Sequence, residues 1–141
     1  MKIWAFDPGA VATGVAYLED DSTGLIWWAS QYTDPVEAWD WLIDYGGKDD
    51  ICLVEMYRTS AQLTKEAKAT IEIVGFFKYS AKYGWGWGPN EAVMRVEQHR
   101  LSGQREAAEL MGDTIDKLKS DKNRKDAFSA LAHCVAYRRS L

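Results

Sequence analysis

Short apolar runs alternate with polar turns over the first third of the chain, and helical spacing begins after residue 34. The first three apolar runs are Ile3–Phe6, Ala12–Leu18 and Leu25–Gln31. A Pro-Gly pair at 8–9 and a polar stretch at 19–24 separate them, and both compositions are typical of turns. Three consecutive strands joined by short turns predict an antiparallel meander.

The first predicted helix covers residues 35–45. Asp34 suits the N-cap position and Pro35 the first helical position. Gly46 and Gly47 then end the periodic segment. The apolar residues that recur at helical spacing are Val36, Trp39, Leu42 and Ile43.

The rest of the chain predicts two further strands, three helices and their connections. The strands are predicted at Ile51–Met56 and Val93–Val96, and the connections at 83–89 and 98–103. The helices are predicted at 61–82, 104–119 and 121–138. This order of elements predicts an α/β protein with a mixed five-stranded sheet and helices on its faces.

Length and composition favour one soluble domain. At 141 residues we expect a single domain spanning 1–141, with a core that needs no staple. We expect neither a membrane span nor a signal segment, because no apolar run has the required length or flanks. Cys52 and Cys134 lack metal-binding spacing, which favours a reducing, intracellular compartment.

The formal charge of −4 is unevenly distributed along the chain. Residues 1–60 carry −8, residues 61–94 carry +1 and residues 95–141 carry +3. Such asymmetry is compatible with a cation site next to a basic track for phosphates. An uneven surface charge without function is the simpler alternative.

Three acidic residues occupy positions where a negative charge is costly unless it is used. Asp7 ends the first strand, Glu55 lies near the end of the fourth, and Asp126 lies near the start of the last helix. Gathered at one sheet edge, three carboxylates would repel one another, and a hard cation such as Mg²⁺ or Mn²⁺ is the usual resolution. Offsets of three and four would place on one helix face Asn123, Asp126, Ala130, His133 and Tyr137.

These residues also have structural explanations. Asp-Pro-Gly is a common turn, Glu55 could be a solvated strand-end carboxylate, and a helix dipole favours Asp126. We expect His133 to be a hydrogen-bonded core histidine rather than a metal ligand. Trp85 and Trp87 lie in a glycine-rich stretch, where they could stack on bases, contact a partner or belong to the core.

Three motifs together resemble one family. DPGAVATG at 7–14, LVEMY at 53–57 and KDAFSALAH at 125–133 resemble the RuvC-like Holliday junction resolvases of the ribonuclease H-like superfamily. The motifs occur in the same order and span nearly the whole chain. The resemblance implies a ribonuclease H-like fold and a Mg²⁺-dependent endodeoxyribonuclease. Such an enzyme resolves four-way junctions by paired symmetric nicks that leave 5′-phosphate and 3′-hydroxyl ends.

The resemblance also implies a set of catalytic residues. Asp7, Glu55 and Asp126 match the family's metal-binding acids, and the implied cofactor is a pair of Mg²⁺ or Mn²⁺ ions about 4 Å apart. One ion would activate a water and the other would stabilise the leaving 3′ oxygen. The family's fourth ligand, Asp or His, corresponds here to the neutral Asn123, with Asp121 as the alternative if the helix begins differently.

Branched DNA and a second copy of the chain are the partners that the resemblance implies. A homodimer would act in the cytoplasm of a bacterial or phage-infected cell. Tyr57 and Arg58 fall where the family reaches the branch point of the junction. Candidate phosphate contacts are Lys65, Lys68, Arg95, Arg100, Arg105, Lys117, Lys119, Lys122, Arg124 and Lys125.

Three other functions stay open. Another ribonuclease H-like nuclease could cut flaps, forks or RNA–DNA hybrids. A degenerate homologue, marked by Asn123, could bind branched DNA without cutting it. A kinase of the actin-like fold also opens on an Asp-x-Gly turn, but it needs a second such domain, and the motif is not repeated in this sequence.

Overall fold

A computed structural model of the protein describes residues 1–47, 49–55, 64–81 and 97–141. The strands are β1 (Lys2–Asp7), β2 (Thr13–Asp21), β3 (Gly24–Tyr32) and β4 (Ile51–Val54). The helices are α1 (Pro35–Tyr45), α2 (Lys65–Tyr79), α3 (Glu97–Met111), α4 (Ile115–Ser120) and α5 (Lys125–Arg139). Within these ranges, no helix combines the length and the apolar composition that crossing a bilayer requires.

The four described strands form one mixed sheet in the order β3-β2-β1-β4. β1 pairs antiparallel with β2, placing Asp7 opposite Gly14, and parallel with β4, placing Phe6 opposite Val54. Beyond that last pair, the Glu55 N–H donates to the Phe6 carbonyl at 3.0 Å. Because β1 and β4 run in the same direction, Asp7 and Glu55 come to the same edge of the sheet.

Alternating residues of β1 face two separate cores. Ile3 and Ala5 pack in a core shared with α3, α4 and α5, whereas Trp4 and Phe6 pack in a core shared with α1 and the end of α2. Side chains alternate across a strand, so this single element supplies both layers. The result is a three-layer arrangement with helices on both faces of the sheet.

Helix α5 lies against the sheet and is buried continuously from Ala127 to Ala136. Two glycines permit its close approach to neighbouring elements. A Cβ added at Gly14 would lie 1.9 Å from the Asp126 carbonyl oxygen, and one at Gly103 would lie 2.0 Å from the Ala132 carbonyl oxygen. Both positions therefore require glycine. Gly14 lets β2 approach the backbone of α5, and Gly103 lets α3 do the same.

The predicted meander and first helix are confirmed. Asp34 accepts a hydrogen bond from the Val36 N–H at 2.9 Å, Pro35 begins α1, and Gly46 follows it. The predicted turn at 19–24 is wrong in length, because β2 extends to Asp21 and β3 begins at Gly24. Gly24 adopts φ 139°, which lets the chain reverse within two residues.

Helix boundaries in the second half differ from the prediction. Residues 98–103, predicted as a connection, belong to α3, which contacts α5 through small residues such as Gly103 and Ala107 and so lacks a marked apolar stripe. The predicted helix at 104–119 is two helices, because Gly112 adopts φ 73° and Thr114 caps α4.

Two other helices begin later than predicted. The Thr64 side chain accepts a hydrogen bond from the Ala67 N–H at 3.0 Å, so α2 begins at Lys65 rather than at 61. The last helix begins at Lys125 rather than at 121, because residues 122–124 form a turn. The predicted fifth strand at 93–96 and the connection at 83–89 lie outside the described residues.

Candidate active site

Asp7 and Glu55 form the centre of the candidate site, where their carboxyl groups hydrogen-bond to each other. Such a bond requires a proton on one of the two groups. Burial is the main cause that raises the pKa of Asp7 well above its ordinary value. The hydrogen bond with Glu55, its charge, and the charge of Asp126 raise that pKa further, whereas a hydrogen bond with Ser129 lowers it.

Asp126 brings the third carboxylate from the start of α5. Burial raises its pKa, the Lys125 ammonium opposes that rise, and the charge of Glu55 adds to it. The pKa values of Asp7 and Asp126 are therefore each raised by the charge of another member of the cluster. Asp7, Glu55 and Asp126 thus share one electrostatic environment, although 47 and 70 residues separate them along the chain, and their role as metal ligands stays a prediction.

Gln31 fixes the position of Asp126 from the neighbouring sheet. Its side-chain oxygen accepts hydrogen bonds from the Asp126 N–H at 2.9 Å and the Ala127 N–H at 3.2 Å. Its side-chain nitrogen donates to the Lys122 carbonyl at 2.6 Å. Residue 124, at the N-cap position of α5, makes no capping hydrogen bond, so a glutamine distant in sequence takes over that role.

Ser129 is a site residue that sequence reasoning missed. It is buried, lies one helical turn after Asp126, and hydrogen-bonds to Asp7. A signal was present, because the offset of three from Asp126 places both residues on one helix face. The stripe predicted from Asn123 passed over this position in favour of Ala130.

His133, on α5, contacts the Glu55 carboxylate from the buried side of the site. Its side chain is 1 % exposed, and Nε2 lies 3.3 Å from Glu55 Oε2. Within the part of the chain that the structure describes, neither ring nitrogen makes a well-formed hydrogen bond. The predicted core position is therefore confirmed, but the expected hydrogen bond is replaced by this close approach to the Glu55 carboxylate.

Asn123 does not share a helix face with Asp126, and this prediction is corrected. It lies exposed in the turn before α5, where its N–H donates to Asp121 Oδ1 at 2.9 Å. The other oxygen of Asp121 accepts from Arg124 Nε at 2.7 Å, and that contact is the main cause that lowers the pKa of Asp121. Asp121 thus holds the turn together.

The predicted phosphate contacts fall into distinct groups. Arg124 is engaged with two carboxylates, because its guanidinium also donates to Asp113 at 2.9 Å. Arg105 is exposed on α3 beside Glu106, which pairs with Arg138 and so lies near the C-terminal end of α5, the end opposite Asp126. The exposed lysines are Lys65 and Lys68 in α2, Lys117 and Lys119 in α4, and Lys122 and Lys125 at the start of α5.

Several predicted contacts lie outside the described residues. Tyr57, Arg58 and Arg95 belong to these, as does the side chain of Arg100. Trp85 and Trp87 also lie outside the described ranges.

The chemistry of the cluster fits a hard divalent cation. Carboxylate oxygens are the ligands that Mg²⁺ and Mn²⁺ prefer, and a cation would relieve the repulsion that raises the pKa of Asp7. Among residues 1–47, 49–55, 64–81 and 101–141, no group of three or more His, Cys, Asp or Glu side chains is arranged as a metal site. The acids therefore share one electrostatic environment without forming a ready-made coordination sphere.

The layers, strand order and position of the acids define a ribonuclease H-like α/β fold, as predicted. Two similar solved structures are of RuvC from Thermus thermophilus. One, in complex with a Holliday junction substrate, has a TM-score of 0.59 at 12 % identity, covering 99 % of this chain and 96 % of that one. The other has a TM-score of 0.56 at 15 % identity with the same coverage.

A viral protein has the same fold. The Holliday junction resolvase of fowlpox virus has a TM-score of 0.52 at 17 % identity, and each chain is covered completely. No family model matches the sequence, and no curated protein matches it. At these identities the likeness establishes the fold, and it extends over the whole chain.

Proposed function

We propose that this protein is a metal-dependent, structure-specific DNA endonuclease that resolves four-way junctions. The observation that carries the proposal is the meeting of Asp7, Glu55 and Asp126 at one edge of a ribonuclease H-like sheet. The similar RuvC structure that contains a Holliday junction substrate supports branched DNA as the substrate class.

Asp7, Glu55 and Asp126 would hold the divalent cations. A cation bound there supplies Lewis-acid chemistry at the scissile phosphodiester and lowers the pKa of a bound water. The chain's own residues prepare the site for it. Ser129 favours the ionised form of Asp7, and Gln31 holds the start of α5 so that the Asp126 backbone cannot drift from the sheet.

Positive charge next to the site would position the DNA backbone. Lys122 and Lys125 are exposed at the start of α5, within four residues of Asp126. Contacts of this kind fix register on the phosphates without reading the sequence. Tyr57 and Arg58 remain the proposed contacts near the branch point, on the basis of the family resemblance.

Two copies of the chain are needed for symmetric cleavage. A four-way junction has two-fold symmetry, so a homodimer would place one site on each of two opposed strands. We propose paired nicks with 5′-phosphate and 3′-hydroxyl ends, which a ligase can seal. Cleavage by monomers would instead give independent nicks.

A second function, binding of branched DNA without cleavage, is favoured by one observation. Within the described residues, the carboxylates are not arranged as a metal site. If this arrangement persists with DNA and cation present, the chain would grip junctions and leave them intact. Addition of Mg²⁺ or Mn²⁺ to a preformed complex separates the two functions, because a binder yields no nicks in either metal.

The test of function compares four substrates under one condition. A four-way junction, a flap, an RNA–DNA hybrid and a linear duplex are incubated with Mg²⁺, and the nicks are mapped at nucleotide resolution. We expect paired, symmetric nicks on the junction alone. Cleavage restricted to flaps or hybrids would overturn the junction assignment while keeping the nuclease class.

Asp7→Asn is the matched inactive variant. Its shape is nearly unchanged, whereas the charge needed for cation binding is lost, so we expect junction binding without cleavage. Asp116→Asn, on the exposed surface of α4, is the control for the loss of one negative charge. Cleavage at the wild-type rate by the Asp7 variant would refute the assignment of the site.

A further inference from the structure

A cavity lies on the face of the sheet that packs against α1, opposite the face that carries α5. Its volume is about 330 Å³, and the described residues that line it are all aromatic. The lining residues are Trp4, Tyr17, Trp28, Trp41 and Tyr45. Three come from adjacent strands β1, β2 and β3, and two from α1, so the walls are built on regular elements rather than on loops.

Three of the five rings are held in place by hydrogen bonds at their polar atoms. Trp4 Nε1 donates to Asp50 Oδ2 at 3.0 Å, and Trp41 Nε1 donates to the Tyr32 hydroxyl at 2.6 Å. The Tyr17 hydroxyl donates to a Glu19 oxygen at 2.8 Å. With these donors engaged, the pocket offers a ligand mainly the surfaces of the rings.

Neighbouring rings in the wall of the cavity are in contact with one another. Centroid distances are 4.7 Å for Trp4 and Tyr17, 4.4 Å for Trp28 and Trp41, and 5.3 Å for Trp41 and Tyr45. Tyr45 is 68 % exposed, so one wall is open to solvent. A ligand can therefore enter without rearrangement of the core.

Negative charge lies beside this cavity at Trp4 and Tyr17. Burial, and then the hydrogen bond with Glu19, raise the pKa of the Tyr17 hydroxyl, and the charges of Asp50 and Asp21 add to the effect. Asp50 is itself buried and accepts a second hydrogen bond from the Gly47 N–H at 2.8 Å. Among the described residues, Lys2 is the basic side chain whose strand position lies nearest, opposite Glu19 in the register.

Aromatic faces combined with acidic neighbours select a cation. The face of an indole or phenol ring carries partial negative charge and attracts an ammonium group within about 6 Å of its centroid. Phosphates and nucleic acids are disfavoured at this cavity, because the charges of Glu19, Asp50 and Asp21 act on Tyr17 in its wall. We infer that this aromatic pocket binds an organic ammonium group, either a free quaternary ammonium ion or a basic side chain of another protein.

The inference is independent of the proposed nuclease function. Trp4 faces α1, whereas Asp7 faces α5, so the pocket and the carboxylate cluster share β1 but not a surface. Loss of ligand binding at the pocket would leave the nuclease proposal intact, and loss of cleavage would leave the pocket intact.

A pair of isosteric probes tests the role of charge. Choline carries a trimethylammonium group, and 3,3-dimethylbutan-1-ol replaces it by a neutral tert-butyl group of similar shape. Titration of the full chain is followed by the NMR signals of the indole N–H groups of Trp4 and Trp41. We expect choline to bind about tenfold more tightly, a factor that corresponds to about 1.4 kcal/mol. Equal affinity for both probes, or no response to either, would overturn the inference.

Neighbouring tryptophans on β3 provide matched variants. Trp28 lines the pocket, whereas Trp27 packs in the core on the opposite face of the sheet. We expect Trp28→Leu to abolish the choline response and Trp27→Leu to retain it. Glu19→Gln, at a partly exposed position, should weaken choline binding severalfold without removal of a ring. If Trp28→Leu and Glu19→Gln both bind choline with the affinity of wild type, choline does not bind in this pocket.

A further comparison distinguishes the two sources of the ammonium group. A blocked lysine amide and its trimethylated form are titrated in the same way as choline. Binding of the lysine amides assigns the pocket to a protein side chain, and binding of choline alone assigns it to a free quaternary ammonium ion. Binding of neither lysine form nor choline refutes the inference.

Discussion

The side chain of Gln31 caps the helix that carries Asp126, across 95 residues of sequence. One glutamine on β3 accepts two backbone N–H groups of α5 and donates to the carbonyl of Lys122 in the preceding turn. The relationship couples the edge of the sheet to the third carboxylate of the site. It also explains why α5 begins at Lys125 although residue 124 provides no side-chain cap.

Gln31→Ala should destabilise the start of α5. Loss of a helix cap costs about 1 kcal/mol, within a range of roughly 0.5–2 kcal/mol. We expect a loss of that size in chemical denaturation, together with faster hydrogen exchange at the Asp126 and Ala127 amides. Ser30→Ala, at the adjacent position of β3, is the control. Unchanged exchange at both amides in the Gln31 variant would show that the cap contributes nothing.

Gly14→Ala should disrupt the contact between β2 and α5. The added Cβ would lie 1.9 Å from a carbonyl oxygen of the backbone, which cannot move aside as a flexible side chain can. Steric insertions into packed regions cost roughly 1–3 kcal/mol, and we expect the upper end of that range. Gly75→Ala in α2 is the control, since a Cβ there meets nothing within 4 Å and alanine favours helix. Equal stability of the two variants would contradict the close approach.

Asp7→Asn should stabilise the metal-free protein at neutral pH. The folded state holds the pKa of Asp7 above its ordinary value of 3.8. As the pH rises above that value, the unfolded chain releases the proton first, so stability falls until the pH passes the raised pKa, and the full cost remains above it. Asparagine removes this cost, and each 1 kcal/mol relieved raises the Tm by roughly 3–5 °C.

The order of the two melting temperatures should reverse with metal. In chelator we expect the Asn variant to melt above wild type at pH 7, with the difference disappearing below pH 3.8, where the acid is protonated in both states. With Mg²⁺ we expect wild type to gain stability and the variant to gain little. A wild-type Tm that is insensitive to Mg²⁺ would count against cation binding by this cluster.

Ser129→Ala should move cation binding to higher pH. The hydrogen bond from Ser129 lowers the pKa of Asp7, so its removal raises that pKa further and makes protons stronger competitors of the metal. We expect Mg²⁺ affinity to fall about tenfold near pH 6 in calorimetry, with a smaller deficit at pH 8. Ser140→Ala, exposed after the end of α5, is the control. A deficit of the same size at both pH values would indicate damage to the fold rather than a shifted pKa.

Lys125 and Arg105 should contribute differently to junction binding. Lys125 is exposed beside Asp126, whereas Arg105 lies towards the opposite end of α5. Each phosphate contact that is lost reduces the slope of log K against log salt by about 0.9 for duplex DNA. We expect that change for Lys125→Gln and none for Arg105→Gln. The reverse result would place the DNA on the other end of the helix.

Local signals in the sequence were sufficient for the first half of the fold. Asp34, Pro35 and Gly46 mark the two ends of α1, and each of these signals depends only on residues close in sequence. The strands β1 to β3 are likewise recognised from short apolar runs and the turn residues between them. Asp7, Glu55 and Asp126 were proposed as site residues because local patterns locate strand ends and because the family resemblance pointed to the same acids, although the start of α5 was placed four residues too early. The hydrogen bond between Asp7 and Glu55 and the charge interactions with Asp126 depend on contacts that the structure shows.

The parts that sequence reasoning missed depend on contacts between distant segments. Residues 98–103 belong to a helix in which Gly103 packs on the Ala132 backbone. This contact is with a segment distant in sequence, so the residues around 98–103 give no local signal of it. The start of α5 depends on Gln31, so a helix predicted from 121 placed Asn123 on the wrong side of the boundary. Helical periodicity could have placed Ser129 on the same face as Asp126. Its hydrogen bond with Asp7 could not be predicted without knowing that Asp7 lies opposite it.

The alternation of β1 ties the length of this strand to both ligand surfaces. Insertion or deletion of a single residue between Trp4 and Asp7 would put both side chains on one face, so either the carboxylate would turn into the aromatic layer or the indole would turn towards α5. No intermediate register keeps both in place. Substitutions along β1 are therefore compatible with both sites, whereas insertions and deletions between Trp4 and Asp7 are not, because the spacing of three residues keeps these side chains on opposite faces.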